Sequence, residues 1–313
     1  MEYIFRLSSL KYFVVILACL IWIVKIAIRE RTIRKAMSKR DALVLRILSL
    51  VILISIYLFL AHRQHLINAT DNTMPTISQL GKGIKSICAA DEFTGERWIL
   101  VDTKATFSRF FLGLAATIVL SIGWGILTGC FKIWRESSIL PLVFFSFIPP
   151  TAAMPVFFVL MGTDMAMYVA LIVFGTFPIL ARTISLAVDE IDEEFIFKSQ
   201  TLGASKLEVI YNAIFKQILP KIIDNVRLQI GIAVILLIAA EMMCGDEGFG
   251  YRIRIHYKLA NMSILYPYCA FLAGFGFLLD AAIRKFNAFL CPWYFNLPAK
   301  KRSCHSGRIN NAK

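Results

Sequence analysis

The sequence predicts an all-α fold: a polytopic membrane helical bundle of about seven transmembrane helices. Three observations predict it. Of the 313 residues, 58% are hydrophobic and only 18% are charged, against roughly 25% charged in soluble domains. The mean hydropathy is +0.67. The apolar residues form continuous runs near the roughly 20 residues that cross a bilayer, without the alternation of a membrane barrel. This balance excludes a disordered chain, collagen and a small disulfide scaffold. The net charge of +13 does not form a basic domain. The charges flank apolar runs, as they do where a membrane protein sets its orientation, so no nucleic-acid partner is expected.

The first run, Tyr12 to Ile28, ends near Lys25, whose long side chain can snorkel to water. It lacks a small-residue cleavage site and leads into a basic stretch, unlike a cleaved signal peptide; the alternative is a six-span chain with residues 1–28 on the surface. The second run is Ile47 to Ala61, starting near Leu43. Then come Phe110 to Phe131, Ser137 to Thr163, Met165 to Ala181, Val226 to Gly245 and Leu259 to Leu279. Ile77, Leu80, Ile84 and Ile87 form an apolar stripe after Pro75, which predicts a short helix on the outer surface. Arg182 closes the fifth span and is expected to snorkel. Asp280 and Arg284, four residues apart, are expected to pair.

Orientation follows from Lys and Arg. Arg29, Arg31, Arg34, Lys35, Lys39, Arg40 and Arg46 put the loop between spans one and two in the cytoplasm. The tail after the last span is basic and falls on the same side. The N-terminus is then outside and the C-terminus cytoplasmic, in a multi-pass plasma (inner) membrane protein. The polar segment Asp189 to Pro220 also falls inside.

That segment is patterned. Asp189, Glu190 and Asp192 crowd a helix start, where negative charge suits the helix dipole. Gly203 stops the helix near Leu202. Ser205 and Glu208 form a capping box for a second helix, with Leu207, Ile210, Tyr211, Ile214, Phe215 and Ile218 on one face and Pro220 at its end. Two readings stand: an ordinary interfacial connector, or a rigid knob that docks into a soluble partner.

The string Gln200-Thr201-Leu202-Gly203-Ala204-Ser205 resembles the heart of the EAA loop of binding-protein-dependent ABC importer permeases. So do Met74-Pro75-Thr76, Thr106 to Gly113, Ile148-Pro149-Pro150-Thr151-Ala152-Ala153-Met154-Pro155, Phe174 to Leu180, Ala240-Glu241-Met242-Met243 and Gly248-Phe249-Gly250-Tyr251. Together they resemble the nitrate/sulfonate/taurine branch, over roughly residues 74–283. The resemblance implies a six-helix permease core with one extra N-terminal helix. It divides the chain into residues 1–42 (extra helix and basic loop), 43–283 (permease domain, coupling loop 189–220) and 284–313 (basic tail).

The resemblance further implies a lipid-embedded homodimer forming the path of an ATP-driven importer. Its partners would be a cytoplasmic ABC ATPase subunit and an extracytoplasmic solute-binding protein. The ATPase contacts fall on Phe197, Lys198, Ser199, Leu202, Gly203, Ala204 and Ser205. Phe197-Lys198-Ser199 replaces the Glu-Ala-Ala triplet, and Phe215-Lys216 stands where Leu-Pro is expected. The implied solute is a small anion such as nitrate, sulfonate or taurine.

Pro149, Pro150 and Glu241 are candidates for the translocation path. Prolines free backbone carbonyls that a water-filled path would use, or they simply kink a packed helix. An ionisable group at membrane depth is a functional candidate; otherwise Glu241 is a helix-end glutamate bonded to water or backbone. His62 and His65 lack a third metal ligand. No phosphate loop and no H-E-x-x-H motif occur, so no enzyme activity, cofactor or metal is expected and ATP hydrolysis falls to a partner. The alternatives are an ion-coupled secondary transporter using Glu241, and a membrane adaptor whose loop recruits a soluble protein.

Overall fold

In chain order the helices are α1 (Lys39–Ile67), α2 (Ile77–Cys88), α3 (Trp98–Cys130), α4 (Lys132–Phe147), α5 (Pro150–Met161), α6 (Met165–Asp189), α7 (Glu193–Thr201), α8 (Lys206–Cys244), α9 (Phe249–Lys258), α10 (Met262–Leu290) and α11 (Pro292–Phe295). This computed structural model describes Trp22 and residues 39–68, 72–89 and 97–295. Among the described residues there is no strand. Apart from Trp22, the expected span Tyr12–Ile28 lies outside them, as does the tail beyond Phe295.

Contacts divide the chain into two units. One combines residues up to Ala89 with His256–Pro267. In it, Thr76 caps α2 with a capping box closed by Gln79, and Ile87 is buried while Ile77 stays 65% exposed. The Tyr57 hydroxyl donates to the Pro75 carbonyl at 2.8 Å, and the Tyr266 hydroxyl to that of Thr73 at 3.1 Å. Leu43, Ile47, Leu50 and Leu53 of α1 are exposed, as a lipid-facing helix requires.

The second unit holds residues 90–255 and 268–313, with α3, α6 and α8 at its centre. Helices in lipid gain no hydrophobic drive from meeting, so packing and interhelical hydrogen bonds must hold them, and small residues sit where they touch. Along α3, Gly113 faces Ile172, Gly125 faces Ile184 and Gly129 faces Val188 of α6. The Thr117 and Thr176 hydroxyls meet at 3.0 Å. Every partner lies 59 positions later. A constant offset means parallel helices, so the chain between α3 and α6 must return across the membrane once.

That return is α4 and α5, bent by 97° at their junction. The expected unbroken span from Ser137 to Thr163 is therefore corrected to a broken one. Ile148 precedes proline and is held extended (ψ 118°), and Pro149 is extended too (ψ 121°). Pro150 then starts α5 at a position where a missing N–H costs nothing. Counting the pair once gives six crossings among the described residues.

Three further expectations change. α6 continues to Asp189, so Arg182 lies seven residues, or about 10 Å of helix, before its end. α10 continues through Asp280 and Arg284 to Leu290; those two do pair, at 2.5 Å, and Arg227 Nε reaches Asp280 at 2.8 Å. Pro220 does not end a helix: it is buried inside α8. Membrane helices tolerate proline better than soluble ones; here Asn287 Nδ2 donates to the Pro220 carbonyl at 3.1 Å and ties α10 to α8 beside it.

A Cβ on Gly125 would come within 2.7 Å of Ile184 and 2.9 Å of the Ala181 carbonyl oxygen, whereas one on Gly123 meets nothing within 4 Å. Gly125→Leu is expected to destabilise the chain by about 1–3 kcal/mol through overpacking. Gly123→Leu is expected to be neutral or slightly stabilising. Thermal unfolding of the detergent-purified chain compares them.

Candidate functional site

The knob between α6 and α8 is built from local rules. Asp192 precedes α7, with Glu193 and Glu194 in its first turn, where anions suit the dipole. The Lys198 ammonium, hydrogen-bonded to Glu194 at 2.7 Å, holds that exposed carboxyl below its usual pKa. The chain reverses at Gly203, whose φ of +84° strains any residue with a Cβ. The Gly203 N–H donates to the Gln200 carbonyl at 2.9 Å. Ser205 N donates to Glu208 Oε2 at 2.8 Å and Glu208 N to Ser205 Oγ at 3.4 Å, which is the expected capping box.

The helix that follows departs from expectation. Val209–Phe215 is π-helical, and its wider turn rotates the apolar stripe. The buried positions are Val209, Ala213, Ile214, Ile218 and Ile222, packed with Leu180, Ile184, Val188 and Ile191. The expected face is split: Ile214 and Ile218 lie inside, whereas Leu207 is 78% and Tyr211 62% exposed. Two ion pairs anchor the base of the knob, Arg135 with Asp189 and Lys221 with Glu190. Of the seven coupling candidates, Phe197, Lys198, Leu202, Gly203 and Ser205 are exposed, and Ser199 and Ala204 are half-buried.

The path candidates lie elsewhere. Pro149 is exposed at the α4–α5 break. Pro150 is half-buried, with its ring against the site where Gly175 would carry a Cβ. Glu241 is fully buried near the far end of α8. Its carboxylate accepts from Thr106 Oγ1, Arg109 Nη1 and the Gly250 N–H, each at 3.0 Å. Beside it, Asp102 accepts from the Gly248 N–H at 3.0 Å, Arg252 Nε at 2.8 Å and the Tyr268 hydroxyl at 3.3 Å. Gly248 has φ +114°, and a Cβ there would come 2.7 Å from the Glu241 carboxylate. Arg109 also lies 4.2 Å from the Tyr168 ring centroid, and Arg252 3.8 Å from that of Trp98.

Sequence reasoning missed Asp102, Thr106, Arg109 and Arg252. It began the third span at Phe110 because charges precede it; the helix starts at Trp98, and of those charges Asp102 and Arg109 are paired inside while Lys104 is exposed. The available signal was an acid in one segment and an arginine in another, with nothing in the sequence to say that they meet.

Glycine-mediated parallel packing, a proline-broken crossing and an exposed Gly-cornered loop describe a polytopic α-helical membrane bundle. The chain matches the family described as binding-protein-dependent transport system inner membrane component over residues 121–290, and it belongs to that family. It is the permease of an ABC importer and not an enzyme; ATP hydrolysis lies on a separate subunit. It is 25% identical over 190 residues to the taurine transport system permease protein TauC of Escherichia coli (strain K12), covering 61% of this chain and 69% of that one. It is 25% identical over 189 residues to the nitrate import permease protein NrtB of Synechocystis sp. (strain ATCC 27184 / PCC 6803 / Kazusa), covering 60% and 68%. Its fold is similar to a chain of the MetNI methionine ABC transporter in an inward-facing conformation. That match has a TM-score of 0.53 and 18% identity, covering 60% of this chain and 94% of that one.

Removing one partner of a buried ion pair leaves an uncompensated charge, at about 3–5 kcal/mol. Arg109→Leu is therefore expected to lower the unfolding temperature strongly. Arg109→Leu combined with Glu241→Gln, which removes the charge and keeps an acceptor for the Gly250 N–H, is expected to recover part of the loss. A double-mutant cycle by thermal unfolding measures the coupling.

Proposed function

We propose that the knob docks into a groove of a cytoplasmic ABC ATPase subunit, through Phe197, Lys198, Ser199, Leu202, Gly203, Ala204 and Ser205. One observation carries this reading: the polar loop leaves Phe197 60% and Leu202 88% exposed. Exposed apolar groups on such an element mark a protein contact. The Gly203 turn, the Ser205 cap and the ion pairs at the base keep the knob rigid enough to transmit movement into α6 and α8. This reading puts the loop and the C-terminus in the cytoplasm and the N-terminus outside. Phe197-Lys198-Ser199 then meets a partner surface adapted to a cation flanked by an aromatic ring.

Two copies of the chain would enclose the path within the lipid, and an extracytoplasmic binding protein would deliver the solute. Pro149 and Pro150 are proposed to border the path, at the 97° break between α4 and α5. Glu241 would support its outer end by clamping residues 248–250, since both carboxylate oxygens are already bonded. That occupancy favours an ATP-driven importer over an ion-coupled carrier. The solute is proposed to be a small anion of the nitrate, sulfonate or taurine kind, on the strength of the taurine and nitrate relatives.

Leu202→Asp and Gly203→Pro are each expected to reduce ATPase co-purification at least tenfold, while Glu193→Gln leaves it unchanged. Pull-down of the full complex from membranes, with unfolding temperature as the control for folding, checks this. Undiminished co-purification of both variants would reject the docking reading. Uptake of nitrate and of taurine into vesicles carrying the whole importer tests the solute class.

A further inference from the structure

Residues of α3, α4 and α6 line a half-open pocket of about 370 Å³ at the end of the bundle that carries the knob. Its charged lining groups are Arg135, Glu136, Arg182 and Asp189. Arg135 is engaged by Asp189, and Glu136 is exposed. Arg182 is exposed on its helix and has no ion pair among the described residues, although it lies two helical turns inside the end of a candidate membrane-spanning helix. An arginine at such depth normally finds a counter-charge.

Two buried hydroxyls share the pocket. Ser138 is 6% and Ser185 9% exposed, and neither has a hydrogen-bond partner among the described residues. Serines in helices commonly donate back to a carbonyl of the preceding turn. Ser146 does so to Leu142 at 2.6 Å, and Ser199 to Phe195 at 2.9 Å. Ser138 and Ser185 do not, so both hydrogens remain available. The remaining wall includes Ile139, Leu142 and Val143 of α4. A planar cationic fork and two spare hydroxyl donors, backed by aliphatic side chains, suit a ligand that only accepts hydrogen bonds and carries negative charge.

We propose that this pocket is an oxyanion site, in which the Arg182 guanidinium binds a tetrahedral phosphate or sulfate-like group and Ser138 and Ser185 donate to its oxygens. Two sources share that chemistry: the phosphodiester of an anionic lipid entering along the apolar wall, and a free oxyanion from the aqueous side. The site does not depend on ATPase docking or on the identity of the transported solute, and it is tested by equilibrium binding to the chain alone.

The experiment uses the full chain, stripped of lipid in a neutral detergent. One arm titrates inorganic phosphate and sulfate against chloride at matched ionic strength and reads the unfolding temperature. The other counts bound phosphatidylglycerol by native mass spectrometry, with diacylglycerol as the phosphate-free control. Arg182→Gln is expected to weaken binding about tenfold, the loss of one charge-assisted contact. Arg182→Lys is expected to retain part of it, and Ser138→Ala with Ser185→Ala to weaken it severalfold. A response to phosphate or sulfate assigns a free oxyanion, and retention of phosphatidylglycerol assigns a lipid. Equal binding by wild type and Arg182→Gln in both arms, or binding in neither, overturns the proposal. If Arg182→Gln does not fold, the double serine variant decides, and unchanged binding there overturns it.

Discussion

The close parallel contact of α3 with α6 is the constraint on which the rest of this permease depends. Lipid surrounds the helices with a medium as apolar as their own side chains, so association must come from van der Waals packing and interhelical hydrogen bonds. Gly113, Gly125 and Gly129 remove the Cβ atoms that would hold the backbones apart. The Thr117–Thr176 hydrogen bond ties the two helices at the same register. With both pointing the same way, the intervening segment must return across the membrane. The break at Pro149 is a feature of that return, and α6 ends where the knob begins.

The buried charges follow a second rule, that each must be paired and hydrogen-bonded where water is excluded. Glu241 and Asp102 meet it through Arg109 and Arg252, together with backbone N–H groups of residues 248–250. Those bonds fix the turn after α8 against α3, and Gly248 is required because a side chain there would collide with Glu241. Arg254 adds to the same end by donating to the Met243 and Gly245 carbonyls at 3.0 and 2.9 Å. The polar loop at one end of α8 is held by the Arg135–Asp189 and Lys221–Glu190 pairs, and the far end by the Glu241 and Asp102 bonds.

Local chemistry was legible wherever it was decided within a few residues. The Ser205–Glu208 box, the Gly203 turn, the short helix after Pro75 and the Asp280–Arg284 pair could all be read from spacing. Features needing more than one helical turn of context were not. The π-helical stretch rotated the stripe expected on Leu207 and Tyr211, because a 3.6-residue period does not describe its wider turn. Pro220 reads as a terminator in isolation, but it lies buried inside α8, where the helix continues to Cys244. The boundaries of α3 and α10 were drawn too short because charges near a span look like its end when their partners are unseen.

The sequence by itself determined the class: apolar length, the positions of Lys and Arg, and the Gly-cornered polar loop establish a multi-pass helical bundle, because spanning a bilayer demands internally satisfied backbone and apolar surface. Tertiary structure alone decided which charges lie inside that bundle and what they do. Glu241 and Arg109 stand 132 positions apart and Asp102 and Arg252 150, so no local period relates them. Whether a membrane carboxylate is a clamp or an open site depends on which helix packs against it, and that is settled by the glycine contacts between helices.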